Sequence, residues 1–170
     1  MQRGLFGFDA TAKTATLYTD SGSFNSTSLP QAGRAIANLL SLPLTNPSNP
    51  RASLSHYANN FAYVSSFLVS QTSLFAALQR ATGTTESDWT VKHSTIAEWV
   101  DVCREGMKKG DMRAGAGLTY AYYMGEGKGG NYEEKAKQDR EVLGLQEEGL
   151  DEAVARAVEA GAAPAVVFKK

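Results

Sequence analysis

Short runs rich in β-branched and aromatic residues alternate along this chain with segments whose apolar residues recur at helical spacing. That alternation confines it to an α/β or α+β fold. Thr14-Ala15-Thr16-Leu17-Tyr18 reads as a strand. After the turn Asp20-Ser21-Gly22-Ser23, the run Phe24-Asn25-Ser26-Thr27 is expected to pair back as a short second strand. Ser28 is a good helix N-cap and Pro30 suits a first helical turn. The helix they start puts Ala32, Ile36, Leu39 and Leu40 on one apolar face and stops at Pro43.

Residues 43–60, with Pro43, Pro47, Pro50 and several Asn and Ser, read as a long surface loop. Phe61-Ala62-Tyr63-Val64-Ser65 is expected to be a strand. Ser70 then caps a helix whose Leu74, Phe75 and Leu78 form a buried stripe, and Gly83 closes it. Trp89-Thr90-Val91-Lys92-His93 alternates like a half-buried strand. Thr95-Ile96-Ala97-Glu98 is a capping box, followed by Ile96, Trp99, Val100, Cys103 and Met107 at helical spacing. An apolar segment over 118–124 leads into a glycine-rich run, residues 125–130. Asn131 caps a charged helix through Leu143, and a last helix spans 150–160.

The 170 residues are enough for one domain with its own core. A net charge of −1 leaves no basic footprint for nucleic acid. Cys103 is the single cysteine, so no internal disulfide forms, which fits a reducing compartment. The N-terminus carries no sustained apolar run, so neither a signal peptide nor a membrane span is expected. A soluble, cytoplasmic protein is the expectation.

Gly125-Glu126-Gly127-Lys128-Gly129-Gly130 satisfies GxGxxG, the pattern that brings a pyrophosphate to a helix N-terminus. The following helix argues against that role. It opens Asn131-Tyr132-Glu133-Glu134, and carboxylates in a first turn repel phosphate. No second strand ending in a ribose-holding acid follows, so the run is expected to be a surface loop. Lys128 is followed by glycine, which excludes a Walker A loop, and no serine sits in GxSxG. His56 and His93 belong to no metal spacing. Cys103, on its helix's apolar stripe, reads as a buried structural thiol. Tyr120, Tyr122, Tyr123 and Met124 suit either a pocket for a planar ligand or core packing.

Several stretches, taken in order, resemble the fungal branch of the NmrA-like, isoflavone-reductase-like family of atypical short-chain dehydrogenases. They are Gly4-Leu5-Phe6-Gly7-Phe8-Asp9 with Ala15-Thr16-Leu17-Tyr18, and Phe24-Asn25-Ser26-Thr27-Ser28-Leu29 with Gly33-Arg34-Ala35. Tyr63-Val64-Ser65, Ser70-Gln71, Leu74, Ala77-Leu78, Ala81-Thr82-Gly83 and Trp89-Thr90-Val91 continue the likeness. The glycine run and Glu141-Val142-Leu143-Gly144-Leu145 are similar to the family's C-terminal signature. Where many members have an Asp in the helix-entry segment, this chain has Pro30-Gln31.

The resemblance implies a C-terminal, substrate-side lobe over residues 1–160 with a tail at 161–170. The family's GxxGxxG fingerprint and the lysine of its reductases belong to an N-terminal nucleotide-binding half that this sequence does not contain. It implies ancestry in NAD(P)H-dependent reduction of small aromatic or carbonyl metabolites. NADP(H) or NAD(H) would be held by that other half rather than by this chain alone, and no catalytic residue is assigned here. Phe6, Phe8, Trp99, Tyr120 and Tyr123 are the candidate substrate-pocket residues. The alternative is a non-catalytic, redox-sensing or regulatory module that binds a protein partner.

Overall fold

The computed structural model describes residues 6–162. They form a mixed α/β structure in the order β1 (Phe8–Asp9), β2 (Thr14–Tyr18), β3 (Phe24–Ser26), α1 (Leu29–Leu40), α2 (Leu54–Tyr57), β4 (Phe67–Val69), α3 (Gln71–Thr82), a 3-10 turn (Glu86–Asp88), β5 (Thr90–Ser94), α4 (Ile96–Lys108), α5 (Met112–Met124), α6 (Glu133–Val142) and α7 (Leu150–Ala162). The chain divides into two compact units. The first comprises Met1–Ser23, Ser70–Gly130 and Gly149–Lys170, and the second Phe24–Val69 and Asn131–Glu148.

In the first unit, β1 pairs antiparallel with β2, and β2 pairs parallel with β5. Phe8 stands opposite Ala15, and Ala15 opposite Val91. Beyond β1, the side chain of Gln71 takes the place of a strand partner. Its Oε1 accepts the Tyr18 N–H at 2.7 Å, and its Nε2 donates to Thr16 O and Phe6 O at 2.7 and 2.9 Å. Helix α3 starts at Ser70, whose hydroxyl accepts from Ser73 N, and ends at Gly83 in the left-handed conformation that glycine adopts without strain. Its apolar stripe, Leu74, Phe75 and Leu78, is buried as the periodicity requires. Phe75 stacks on Phe8 and meets Trp89 edge-on.

Helices α4 and α5 form a hairpin whose close approach rests on glycine. A Cβ on Gly117 would lie 2.8 Å from Cys103 Sγ, and one on Gly106 would lie 2.9 Å from Ala114 Cβ. The capping box at Thr95 and Glu98 is formed, with Glu98 N–H donating to Thr95 Oγ1. The glycine run follows α5 and is anchored at its start, where Gly125 bridges to Ser21.

In the second unit, β3 and β4 form an antiparallel pair. Ala35 of α1 packs with Leu143 and Leu145, with Leu39, Leu42 and Val64 closing over them. Ser28 caps α1 through the Gln31 N–H, with Pro30 in the first turn.

Several sequence expectations change. Phe24-Asn25-Ser26 pairs with β4, not back on β2. Residues 61–65 are irregular, and the strand is Phe67–Val69. Their backbone groups are satisfied by side chains instead of a ladder. Tyr63 N–H donates to Asp139, Val64 O accepts from Thr27 and Tyr132, and Ser65 O accepts from Arg140. Helix α1 buries Gln31 and Ala35, while Ile36 and Leu40, expected on the core face, point outward. A one-turn helix, α2, lies within the loop at 43–60. Helix α5 begins at Met112, six residues before the apolar segment that marks it in the sequence. Gly4-Leu5 and most of the tail at 161–170 lie outside the described residues; the part inside, through Ala162, continues α7.

Candidate functional site

The five aromatic candidates all fall in the first unit. Phe6 meets Tyr120 of α5 edge-on, centroids 5.3 Å apart. Trp99 of α4 lies flat on Tyr18 of β2, centroids 4.6 Å apart and planes 4° apart. Gly117 of α5 lies against α4 beside Trp99. Its Cβ position is 3.5 Å from Trp99 Nε1, and Tyr120 follows it by three residues on the same helix face. Phe6, Trp99, Tyr120 and Tyr123 are half-buried, as a surface that stacks a planar group must be. Phe8 is different: it is 1% exposed and stacked on Phe75, a core position.

Two groups near the Tyr18–Trp99 stack titrate above their ordinary range. Burial, with Cys103 adding to it, pushes the Tyr18 phenol up to about 12. Burial and then Asp111 push the Cys103 thiol up. A thiol held in its neutral form is a poor nucleophile. His93 is exposed on β5, and His56 lies edge-on to Tyr57 in α2. No group of three His, Cys, Asp or Glu side chains among the described residues could hold a metal ion. No helix among them is long and apolar enough to cross a membrane.

The glycine run has the geometry of a loop after a helix. Residues 126–129 are exposed, with Gly127 and Gly129 at φ 67° and 97°. A dinucleotide-binding turn instead follows a strand.

The second unit holds a buried polar network with no signature in the sequence. Glu148 Oε2 accepts from the hydroxyls of Ser28 (2.5 Å) and Ser66 (2.6 Å), while Oε1 accepts from Arg34 (2.7 Å). Burial pushes the Glu148 carboxyl up, but the hydrogen bonds from Ser28, Ser66 and Arg34 outweigh it and leave it below the ordinary range. Fully buried Asn25 donates to Ser65 and Glu133 and accepts from Tyr132 N–H. Asp139 accepts from Tyr57 OH and Tyr63 N–H. Each partner lies tens of residues away, so no local spacing announces them. Their hydroxyls and carboxylates are engaged with one another, which makes the network a structural brace.

Comparison with known protein families, curated proteins and solved structures finds no match to this chain.

Proposed function

We propose that this chain is the C-terminal, substrate-side lobe of an NmrA-like NAD(P)-binding protein, ancestrally an NAD(P)H-dependent reductase of small aromatic or carbonyl metabolites. In this reading it turns over no substrate without a nucleotide-binding half, which holds NADP(H) or NAD(H).

The observation that carries the reading is the parallel pairing of β2 with β5. Many doubly-wound α/β folds carry an antiparallel edge strand beside parallel ones, as β1 stands beside the parallel β2–β5 pair. Here β5 stands at the sheet's edge, with Thr90, Lys92 and His93 exposed. A parallel edge strand open to solvent is what one part of a larger α/β sheet presents. The half-buried aromatics Phe6, Trp99, Tyr120 and Tyr123 then line the substrate side, while Phe8 lies in the core against Phe75.

The test is a fluorescence titration of NADPH with the isolated chain at micromolar concentration. The reading expects neither quenching nor a spectral shift. Saturable binding by this chain alone overturns it.

A further inference from the structure

Asn25-Ser26-Thr27 is the chain's single N-x-S/T sequence. Asn46 and Asn49 are followed by proline, and the other asparagines lack a hydroxyl residue two places on. The pattern accepts N-linked oligosaccharide, which in a glycosylated protein sits in a surface loop. Here it lies in β3, with Asn25 opposite Leu68 of β4 and 0% exposed. Its amide is fully engaged. Nδ2 donates to Ser65 Oγ at 2.8 Å and Glu133 Oε2 at 2.7 Å, and Oδ1 accepts the Tyr132 N–H at 2.8 Å. These partners come late in the chain: Ser65 follows Asn25 by 40 residues and Glu133 by 108. Synthesis delivers N-terminal segments first, so the acceptor stays uncovered until α6 has been made.

We infer that Asn25 is an N-glycosylation site open only in the unfolded chain, and that oligosaccharide there and the fold of the second unit exclude each other. The donor is an oligosaccharide linked through a diphosphate to a lipid. Asn25 Nδ2 attacks the anomeric carbon, a C–N bond forms and the bond from that carbon to the diphosphate breaks. The lipid diphosphate leaves, and Nδ2 gives up one of its two protons. That proton is one the fold donates to Ser65 or Glu133. The sugar taking its place has no room, because Asn25 is wholly covered. The chain therefore reaches this fold only where no oligosaccharide is transferred to it, and passage through a glycosylating compartment diverts it. The inference is independent of the cofactor reading above.

The test expresses the full chain in a glycosylating eukaryotic host, with and without a cleavable secretory leader. Gel mobility before and after endoglycosidase reads the modification, and resistance to protease reads the fold. Without the leader, the wild type is expected to be unmodified and resistant. With it, the wild type is expected to carry one oligosaccharide and to lose its resistance. Thr27→Val removes the acceptor pattern, and Val64 O, which Thr27 served, keeps the Tyr132 hydroxyl. With the leader, this variant is expected to be unmodified and resistant, whereas Thr27→Ser, which keeps the pattern, should behave as wild type. Blocking synthesis of the lipid-linked donor should rescue the leader-borne wild type without any substitution. A leader-borne wild type that is glycosylated yet resistant, one that stays unmodified, or a donor-starved wild type that remains protease-sensitive overturns the inference.

Discussion

Gln71 completes the edge of strand β2 for Tyr18: its side-chain oxygen accepts the Tyr18 N–H at 2.7 Å while its amide nitrogen holds Thr16 O and Phe6 O. One side chain, 1% exposed, thus satisfies three backbone groups where β1 has run out. Leaving a buried backbone group unpaired costs about 1–3 kcal/mol. Gln71→Leu is therefore expected to destabilise the first unit by about 3 kcal/mol or more. Both tryptophans, Trp89 and Trp99, lie in that unit, so urea unfolding followed by their fluorescence reads it directly. A loss below about 1 kcal/mol, the net value of a single ordinary hydrogen bond, contradicts this role.

Gly7 sits beside the same junction with φ 86°, and a Cβ there would lie 2.4 Å from Thr16 O and 2.8 Å from Gln71 Nε2. Gly7→Ala is expected to cost about 2 kcal/mol or more, since both backbone strain and overpacking oppose it. Gly115 lies inside α5 with nothing within 4 Å of its Cβ position. Gly115→Ala is expected to stabilise by up to about 1 kcal/mol through helix propensity. Opposite signs for the two substitutions in thermal unfolding are the expected result.

Tyr18 and Tyr57 titrate at about 12, Tyr18 through burial and then Cys103, Tyr57 through burial and then its hydrogen bond to Asp139. A phenol whose folded pKa exceeds its unfolded value stabilises the fold below about pH 10, the unfolded value. That stability drains away as pH rises toward 12. Absorbance titration near 295 nm should show a phenolate fraction that ionises late and coincides with loss of structure. Tyr18→Phe should remove part of it.

Glu148 behaves with the opposite sign. Burial alone would raise its carboxyl, but Ser28, Ser66 and Arg34 hold it below the ordinary range. Its contribution is full above the unfolded carboxyl pKa and is lost as pH falls through the depressed folded value. Glu148→Gln is expected to cost about 1–3 kcal/mol at neutral pH, as for a charged hydrogen-bond hub, and to flatten the acid side of the stability profile. An unchanged acid limb contradicts the brace.

Elements whose signals are local were legible in the sequence. Ser28, Ser70 and Thr95 cap helices, Gly83 ends one, and Thr14–Tyr18 forms a strand. Features that depend on distant partners were not. Residues 61–65 have the composition of a strand, yet Asp139, Thr27, Tyr132 and Arg140 satisfy their backbone and leave no ladder to join. Helix α1 has an apolar stripe, but Gln31 and Asn38 draw the other face inward through hydrogen bonds to Gln146 and Leu143. Among the site candidates, aromatic type alone could not separate Phe8, packed under Phe75, from half-buried Phe6 and Trp99.

Under the proposed function, this chain works as part of a larger NAD(P)-binding protein. The most direct measurement is an NADPH titration of the native protein, captured from its own cells under non-denaturing conditions with an antibody to this region. Saturable quenching by the captured protein, absent from the isolated chain, is the predicted result. A captured protein that binds neither NADPH nor NADH contradicts the account.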